Sequence, residues 1–287
     1  MLELGAHRYN RVTEQLVAEL RRICGERNVL FGDPDALQGY ACDESGKYYC
    51  RMPEAVVKPS STDEVSAIMR LANQERVPVT PRGAGSGLVG GAVPLYGGIV
   101  LSCERMNKIL EIDRVNMVAV VQPGVITNEL CRAVEKEGLY YAGYPMSVEA
   151  STVGGNVAHN AGGGTVLRYG NTGHHVLGLE VVLPTGEVVR LGGRRRKDTN
   201  GYNLVQLMVG SEGTLGIVTE VILNLLPLPG PRASVLAAFA GIKEAVDAVP
   251  GIVTGCRTLP TSLELMDRLT VELVSRYLGD RLPAQDQ

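Results

Sequence analysis

Residues 81–88 read PRGAGSGL, a glycine-rich loop that directly follows a short apolar run at residues 77–80. The apolar run predicts a β-strand, and the loop places glycine at positions 83, 85 and 87. Glycine adopts positive φ angles and lets a backbone approach a ligand closely. Consecutive free N–H groups in such a turn form a concave anion site. The stretch therefore predicts a binding loop for a phosphate group.

Two common nucleotide-binding loops do not account for this stretch. No Gly-Lys-Ser/Thr follows it, which excludes a Walker A loop. Residues 85–90 match the GxGxxG spacing of dinucleotide-binding folds, but a turn and another strand follow at residues 95–101, where that fold needs a helix. Taken alone, the loop is better explained as a tight turn in a sheet protein.

Two further glycine-rich segments favour the ligand interpretation. They are residues 151–164 (STVGGNVAHNAGGG) and residues 210–219 (GSEGTLGIVT), each beside apolar, strand-like sequence. Glycine supplies 35 of 287 residues, well above the usual share of about 7%. No short repeat explains the excess, which excludes collagen and flexible linkers. Three separate segments predict one extended ligand lying along several backbone edges.

The order of these motifs resembles that of a known family. Residues 81–88, 151–163, 168–189 and 210–229 together resemble the FAD-binding domain of the vanillyl-alcohol oxidase/p-cresol methylhydroxylase (PCMH-type) superfamily. Within it, the chain is most similar to the group of D-type glycolate oxidases and FAD-linked D-lactate dehydrogenases. The resemblance is close over about residues 40–230 and looser towards the C-terminus.

The resemblance implies an α+β fold with FAD lying between two α+β subdomains. It predicts an N-terminal helical segment at 1–51 and a PCMH-type FAD-binding domain at 52–230, with subdomains at about 52–110 and 111–230. Residues 231–287 would begin a ferredoxin-like α+β cap domain over the substrate. The prolines at 227, 229 and 231 mark the best domain boundary in the sequence.

The resemblance also implies which residues contact FAD. Residues 81–88 would wrap the diphosphate with backbone N–H groups, with the Ser86 hydroxyl as a further donor. The second cluster would run beside the ribityl chain and the isoalloxazine, and a third set would surround the adenine and ribose. The expected cofactor-binding residues are Pro81, Arg82, Gly83, Ala84, Gly85, Ser86, Gly87, Leu88, Pro145, Ser147, Thr152, Gly154, Gly155, Asn156, Ala158, Asn160, Gly162, Gly163, Tyr169, Gly170, Glu212, Gly216 and Ile217.

Some of these residues have alternative explanations. Asn156 and Asn160 are spaced i and i+4, and they could instead cap a turn or a short helix. Glu212 could accept hydrogen bonds from ribose hydroxyls or be an ordinary surface carboxylate. His159 is interpreted as a structural residue near the flavin rather than a catalytic base. Residues 81–88 contain neither histidine nor cysteine, so the sequence predicts noncovalent FAD.

The reaction implied by the resemblance is removal of hydride from the α-carbon of a 2-hydroxy acid by flavin N5, which yields the 2-oxo acid. In the resembling family a divalent metal and the substrate carboxylate are bound by the cap region. No matching cluster occurs in this sequence, so no catalytic residue and no metal site are assigned. The chain is therefore expected to be a truncated FAD-linked 2-hydroxy-acid dehydrogenase.

Two other functions remain open. The chain could be a non-catalytic flavin-binding or electron-transfer subunit whose active site a partner chain completes. A weaker possibility is another chemistry of the superfamily, such as NADPH-driven reduction of a sugar nucleotide. The expected partners are a small 2-hydroxy acid and an electron acceptor or partner subunit.

Composition limits the other classes of partner. A net charge of −3 argues against a general nucleic-acid binder, and the basic run at residues 194–197 is typical of a solvated loop. The start of the chain has no signal-peptide pattern, and the longest apolar run, 233–240, is too short to cross a bilayer. The six cysteines form no Cys-x-x-Cys pair, which predicts reduced thiols in a cytoplasmic protein, with Cys103 and Cys131 in the core.

Periodicity predicts the order of elements. One helix is expected at 10–24, and a second begins at Ser61, where Glu64 stands at capping-box spacing. Further helices are expected at 127–137, 203–209, 241–249 and 262–278. Strands are expected at 52–59, 77–80, 98–102, 117–121, 216–226 and 233–239, with a hairpin of 176–183 and 187–191. Residues 25–51 are expected to be irregular. The adjacent His174 and His175 should point to opposite faces, which makes them poor joint metal ligands.

Overall fold

A computed structural model describes residues 9–46, 49–255, 257 and 259–279. The first eight residues of the expected N-terminal segment, Cys256 and the polar tail at 283–287 lie outside the described residues. The observed fold is α+β, as expected, and it contains two main sheets.

The first sheet has four strands in the order β1-β2-β4-β3. Strand β1 pairs antiparallel with β2, and both β2 and β3 pair parallel with β4. The central strands β2 and β4 are buried along their whole length, as the unbroken apolar runs in their sequences predict. The strands are β1 (Val29–Phe31), β2 (Ala55–Val57), β3 (Val79–Arg82) and β4 (Ile99–Ser102).

Helices cover both faces of this sheet. Helices α1 (Glu14–Cys24) and α3 (Thr62–Glu75) pack on the face that carries Ala55, Val57, Ile99 and Leu101. The short helix α2 (Pro34–Gln38) places Leu37 against Val56 and Val100 on the other face. The alternation of buried residues along β2 and β4 therefore fixes which helix lies on which side.

The start of α3 differs in one detail from the predicted capping box. The Ser61 hydroxyl accepts a hydrogen bond from the Glu64 N–H at 3.2 Å, as expected. The reciprocal bond is displaced by one residue, because Glu64 Oε2 accepts from the Ser60 N–H at 2.7 Å. Glu64 Oε1 also accepts from the Ser60 hydroxyl, so the carboxylate is fully engaged by Ser60 rather than Ser61.

The second sheet has five antiparallel strands in the order β5-β6-β10-β8-β9. Its central strand β10 alternates buried and half-buried residues, which is the pattern of a sheet with one covered face. The strands are β5 (Ile109–Asp113), β6 (Val118–Val121), β8 (Val176–Val182), β9 (Val188–Gly192) and β10 (Ile217–Asn224). A small third sheet pairs β7 (Leu139–Tyr140) with β11 (Leu226–Pro227).

Helices α4 (Thr127–Lys136), α5 (Val153–His159) and α7 (Leu204–Met208) share a core with the second sheet. Leu130, Val157 and Val205 carry these contacts, together with Val181 and Val221 of the sheet. A further short helix, α6 (Val166–Tyr169), lies in the chain between α5 and β8. The second glycine-rich segment is therefore partly helical rather than an extended loop, because α5 lies inside it.

The two sheets are joined through α3. Thr62 Oγ1 donates to Glu180 Oε1 of β8 at 2.6 Å, and Thr219 Oγ1 of β10 donates to the same oxygen at 3.1 Å. Arg190 Nε donates to Glu180 Oε2 at 2.9 Å. Burial alone would raise the pKa of Glu180, but the hydrogen bonds from Thr62, Arg190 and Thr219 outweigh it and hold that pKa below its usual value.

Several sequence-based expectations for the elements are confirmed, and others are wrong. The hairpin of β8 and β9 forms as predicted around residues 184–186. Strand β1 and helix α2 lie in a stretch expected to be irregular, and strand β5 is absent from the predicted elements. Strand β10 and helices α3, α4 and α7 match their predictions to within a few residues.

The region after residue 230 departs most from expectation. The predicted strand at 233–239 is wrong, because these residues have no regular structure and Val235 is 89% exposed. Helix α8 (Ile242–Gly255) continues through Pro250, beyond its predicted end. Helix α9 (Arg268–Leu278) begins later than predicted, because Asp267 caps it by accepting a hydrogen bond from the Thr270 N–H. In the part of the chain that the structure describes, no helix has the length and apolar character needed to span a membrane.

The cysteines also differ from expectation. A disulfide joins Cys42 to Cys50, whose Cα atoms lie 4.4 Å apart, so the prediction of reduced thiols is wrong for this pair. Cys103 is a buried free thiol in the core, as predicted, and Cys131 is half-buried against the second core.

Candidate functional site

The three glycine-rich segments meet in one cleft of about 330 Å³, within the size range of small-molecule sites. A β-carbon on Gly83 would overlap the side chain of Thr152, which places the first segment directly against the second. A β-carbon on Gly213 would overlap the ring of Pro81, which places the third segment against the first. At both contacts the missing β-carbon leaves room for a side chain of the neighbouring segment. The convergence expected from the sequence is therefore present.

The first wall of the cleft is the loop that follows β3. Gly85 has a φ of +74°, in the left-handed region that glycine favours. Within the described part of the chain, no backbone N–H of residues 83–88 donates a hydrogen bond to the protein. A row of unpaired donors at a cleft wall is unusual, because most backbone N–H groups are paired. These donors are available to an anionic ligand.

Arg82 supports this loop from behind. Its side chain is buried, and Nη1 donates to the carbonyl oxygen of Cys42 at 2.9 Å while Nη2 donates to that of Gly39 at 3.3 Å. Its guanidinium lies 5.8 Å from the ring centre of Tyr40, a distance typical of a cation–π contact. A β-carbon on Gly85 would overlap the guanidinium. The Arg82 side chain therefore shapes the loop, which the sequence did not reveal.

The second wall is formed around α5. The Thr152 hydroxyl caps this helix by accepting a hydrogen bond from the Gly155 N–H at 3.3 Å. A β-carbon on Gly154 would overlap Pro123, which follows β6. The glycines of this segment thus let the helix start lie directly against two other backbone segments.

The two asparagines of this segment are engaged with the protein itself. Asn156 is buried, and its Nδ2 donates to Thr127 Oγ1 at 2.8 Å, which ties α5 to α4. Asn160 ends α5 with a φ of +49°, and its Oδ1 accepts a hydrogen bond from the Gly173 N–H at 2.9 Å. These bonds correspond to the capping and structural alternative noted from the sequence. Asn156 also lines the cleft, whereas Asn160 is not part of its lining.

Two ionisable side chains lie close together in the cleft. Glu212 Oε2 and His159 Cε1 lie 3.1 and 3.2 Å from the point where a β-carbon on Gly91 would stand. Among the described residues, neither side chain has a hydrogen-bond partner. Glu212 has a φ of +52°, a conformation that costs a non-glycine residue energy, and its N–H donates to the Ala158 carbonyl at 2.9 Å. The strained backbone holds the Glu212 carboxylate in the cleft.

Most of the predicted contact residues share this cleft. Those that line it are Pro81, Arg82, Gly83, Ala84, Gly85, Ser86, Gly87, Leu88, Pro145, Ser147, Thr152, Gly154, Gly155, Asn156, Ala158, Gly162, Glu212, Gly216 and Ile217.

Four predicted residues lie elsewhere, namely Asn160, Gly163, Tyr169 and Gly170. The ring of Tyr169 packs edge-on against Tyr140, with 5.8 Å between the ring centres. A β-carbon on Gly163 would meet the backbone of residues 144–146. These four residues therefore lie outside the lining of the cleft.

Further lining residues were not among the predicted contacts: Val89, Gly91, Ala92, Cys103, Pro123, Ser151, His159, Ala161, Met208, Ser211, Gly213 and Val218. One of them carried a usable signal, because Pro123-Gly124 follows β6 much as the first glycine loop follows β3. Others, such as Met208, reach the cleft only through the topology.

Burial keeps the one thiol that lines the cleft unreactive. It raises the pKa of the Cys103 thiol to about 12, so this group is neutral at pH 7 and not a nucleophile. Outside the cleft, burial lowers the pKa of His175, whereas His174 is exposed. The two adjacent histidines have different surroundings, although they lie in a 3-10 helix, Thr172–His175, and not in the strand-like segment that was expected. The described residues contain no group of three or more His, Cys, Asp or Glu side chains arranged to hold a metal ion.

A second cleft of about 420 Å³ adjoins the first and shares Arg82, Gly83, Ala84 and Thr152 with it. Glu104 and Glu129 line this second cleft. Glu104 is ion-paired with Lys58 at 2.8 Å, which offsets its charge.

Comparisons with known proteins show which proteins this chain is similar to. A family model described as FAD binding domain matches residues 53–192. Glycolate oxidase subunit GlcD of Bacillus subtilis is 43% identical over 272 residues, which cover 95% of this chain and 57% of that protein. D-lactate dehydrogenase of Anaerostipes hadrus is 40% identical over 279 residues, which cover 97% of this chain and 58% of that protein. The chain thus spans less than two thirds of the length of these curated relatives.

Solved structures show the same fold. An alkyldihydroxyacetonephosphate synthase structure superposes with a TM-score of 0.77 at 26% identity, and the match covers 94% of this chain and 53% of that one. A p-cresol methylhydroxylase structure superposes with a TM-score of 0.68 at 24% identity, covering 77% of this chain and 45% of that one. The fold expected from the four sequence motifs is confirmed.

Proposed function

The chain belongs, through residues 53–192, to the family of PCMH-type FAD-binding domains, and on that premise we propose that it is the flavin-binding part of an oxidoreductase that converts a 2-hydroxy acid into the 2-oxo acid. The convergence of three glycine-rich segments on one cleft carries this proposal. The names of its relatives support the substrate class. Glycolate and D-lactate, which appear in those names, are both 2-hydroxy carboxylates.

The residues of the cleft fit FAD. The unpaired N–H groups of residues 83–88 match a diphosphate, which needs several donors and little side-chain bulk. The Ser86 hydroxyl adds a further donor at the same wall. Gly216, Ile217 and Val218 give a small and apolar lining suited to a flat ring. We assign the diphosphate to the loop after β3.

The Glu212 carboxylate has the chemistry of a ribose contact. A carboxylate accepts hydrogen bonds from vicinal hydroxyls, and Glu212 has no protein donor of its own among the described residues. Its neighbour His159 can donate a hydrogen bond to the same ligand from the end of α5. We therefore assign both side chains to binding rather than to proton transfer with the substrate, and we assign no catalytic base.

When bound, FAD supplies the acceptor for the hydride that leaves the α-carbon of the hydroxy acid. The chain's own residues bind and orient the cofactor. The Cys103 thiol stays protonated, and we assign His159 to a hydrogen bond with the ligand rather than to a covalent link. We therefore propose that the cofactor is held noncovalently.

The test begins with cofactor content. The purified protein should carry FAD, or bind it when it is added, and acid precipitation should release all of the flavin into the supernatant. Glycolate, D-lactate and D-2-hydroxyglutarate are then added separately under anaerobic conditions, with acetate as a control that lacks the hydroxyl group. Bleaching by a hydroxy acid but not by acetate supports the proposal.

The other outcomes separate the alternatives. FAD binding without bleaching by any hydroxy acid favours a flavin-binding subunit that needs another chain. Bleaching by NADPH favours sugar-nucleotide chemistry. A protein that binds no FAD contradicts the cofactor assignment itself.

A further inference from the structure

The glycine-rich loop is held from outside by a neighbouring segment. This segment, residues 39–46 together with residues 49–51, is called the strap below. Two strap carbonyls, those of Gly39 and Cys42, accept hydrogen bonds from the buried Arg82 guanidinium. The strap also donates to the loop, because the Glu44 N–H binds the Gly87 carbonyl oxygen at 2.9 Å. Hydrogen bonds therefore join the strap to both ends of the loop, at Arg82 and at Gly87.

The Glu44 bond bears directly on the unpaired donors of the loop. In a trans peptide the C=O and N–H groups point in opposite directions. A Gly87 carbonyl held by Glu44 therefore turns the N–H of Leu88 away from the strap, and Leu88 lines the cleft. The position of the strap thus helps to set the direction of a donor that we assign to the diphosphate.

A disulfide closes the strap on itself. Cys42 and Cys50 form this bond, and beside it the Arg51 N–H donates to the Ala41 carbonyl at 2.9 Å. Cys42 is the same residue whose carbonyl accepts from Arg82. Cys50 is exposed, so a soluble thiol can reach the bond. Closing a loop by a disulfide removes conformational freedom from the chain between the two cysteines.

We propose that the Cys42–Cys50 disulfide is a thiol switch that sets the affinity of the neighbouring cleft for its dinucleotide cofactor. The proposal rests on the assignment of FAD to this cleft. In the oxidised form the strap is closed, and Glu44 and Arg82 hold the loop in its binding conformation. In the reduced form the strap gains conformational freedom. Cofactor binding must then order the strap again, which lowers the affinity.

The switching step is a thiol–disulfide exchange with a dithiol. One thiolate of the dithiol attacks Cys50 Sγ, and the S–S bond to Cys42 breaks. The second thiolate of the dithiol then resolves the mixed disulfide. Cys42 and Cys50 together gain two electrons and two protons, and the dithiol leaves as its cyclic disulfide. The cofactor takes no part in this exchange.

The experiment compares the oxidised and reduced forms of the same full chain. Dithiothreitol reduces the protein, and a thiol reagent under denaturing conditions counts the two thiols gained. The dissociation constant of FAD is measured by quenching of flavin fluorescence, and that of ADP by calorimetry. ADP carries the diphosphate but no flavin ring, so it reports on the loop. We expect reduction to weaken both ligands by about tenfold, or about 1.4 kcal/mol, and reoxidation to restore them.

Two variants control for side effects of the reductant. Cys50→Ser should bind FAD like the reduced protein and should no longer respond to dithiothreitol. Cys131→Ser removes a half-buried thiol far from the strap in sequence, and it should respond like the original chain. In the protein without cofactor, reduction should also speed hydrogen exchange at residues 83–88.

The results that overturn the switch are specific. If treatment with dithiothreitol does not increase the number of thiols, the purified protein contains no disulfide, and the switch does not exist. If the FAD affinities before and after a confirmed reduction agree within twofold, the disulfide does not control cofactor binding. The same conclusion follows if the Cys50→Ser variant still responds to dithiothreitol. If the oxidised protein binds neither FAD nor ADP, the cofactor assignment fails instead. Hydrogen exchange in the cofactor-free chain then still decides whether the disulfide controls the loop.

Discussion

The guanidinium of Arg82 occupies the space that a β-carbon on Gly85 would need. The loop therefore folds back over the last residue of the strand that leads into it. The guanidinium satisfies the carbonyls of the strap, and the N–H groups of the loop stay unpaired. A buried cation thus lies directly behind the donors that we assign to a diphosphate. This arrangement makes the space beside Gly85 the most sensitive point of the cleft.

We expect Gly85→Ala to weaken FAD binding by at least about tenfold, because the new methyl group must displace the Arg82 side chain and the loop with it. The substitution should also cost about 1–2 kcal/mol of stability, since alanine disfavours a positive φ. Fluorescence titration with FAD and urea unfolding measure the two effects.

Gly32→Ala is the matched control for this substitution. Gly32 has nearly the same φ, +76° against +74°, but a β-carbon there would meet nothing within 4 Å. It should lose similar stability and keep its FAD affinity. Equal loss of affinity in both variants would show that the backbone conformation, and not the contact with Arg82, matters.

Arg82→Lys should lower the free energy of unfolding by about 2 kcal/mol and weaken FAD binding. A lysine ammonium keeps the charge but lacks the planar fork that reaches two strap carbonyls at once. The exposed Arg51→Lys, in the strap itself, is the control and should change neither quantity. If Arg82→Lys binds FAD as tightly as the original chain, the support from behind the loop is unnecessary.

Glu212→Gly should separate stability from binding. Glycine relieves the positive φ of Glu212, so the chain should become more stable by about 0.5 kcal/mol. Loss of the carboxylate should nevertheless weaken the binding of FAD. If the contact is to the adenosine ribose, the binding of ADP should be weakened to the same extent. Arg76→Gly tests the same backbone effect at the end of α3, where φ is +53°, and it should leave FAD binding unchanged.

Glu180→Gln should destabilise the junction of α3 with the second sheet by about 1–2 kcal/mol at pH 7. The pKa of Glu180 lies below its ordinary value of 4.5 in the folded chain, so its stabilising effect is complete above that value. The effect is lost as the pH falls through the lowered pKa, because the protonated carboxyl group gives up its charged hydrogen bonds. Urea unfolding of both proteins should therefore show a constant difference from pH 6 to 8 that shrinks below about pH 4.5. A difference that stays constant into acid would contradict the role of the charge.

The sequence predicted the cleft because a glycine can mark a place where another segment of the chain comes close. Gly83 and Gly213 stand where two segments touch, and a β-carbon at either position would overlap a side chain of the other segment, so their positions carry long-range information. The buried strands β2 and β4 were predicted for a similar reason, since their apolar runs reflect burial on both faces. Both signals can be read without knowing the partner segment.

The sequence did not predict features that depend on the identity of a distant partner. The amide of Asn156 could serve a ligand or a helix cap, and only the position of Thr127 shows which bond it makes. The disulfide of Cys42 and Cys50 was missed, although Gly46 lies between them with a φ of +89° and marks the chain reversal that the bond needs. Strand β5 was missed because it lies at a sheet edge, with Leu110 47% exposed, and so it lacks the alternation that marks a half-buried strand.

The central position of β10 has a consequence for the order of assembly. This strand pairs Val221 with Val121 of β6, across a long stretch of intervening chain, and the third glycine-rich segment leads directly into it. Because loop closure must precede pairings so distant in sequence, we expect this pairing to form late during folding. The third glycine-rich segment thus reaches its place in the cleft only when the second sheet is complete. In a refolding experiment, capture of the flavin should consequently report the completion of the whole two-sheet body rather than an early event.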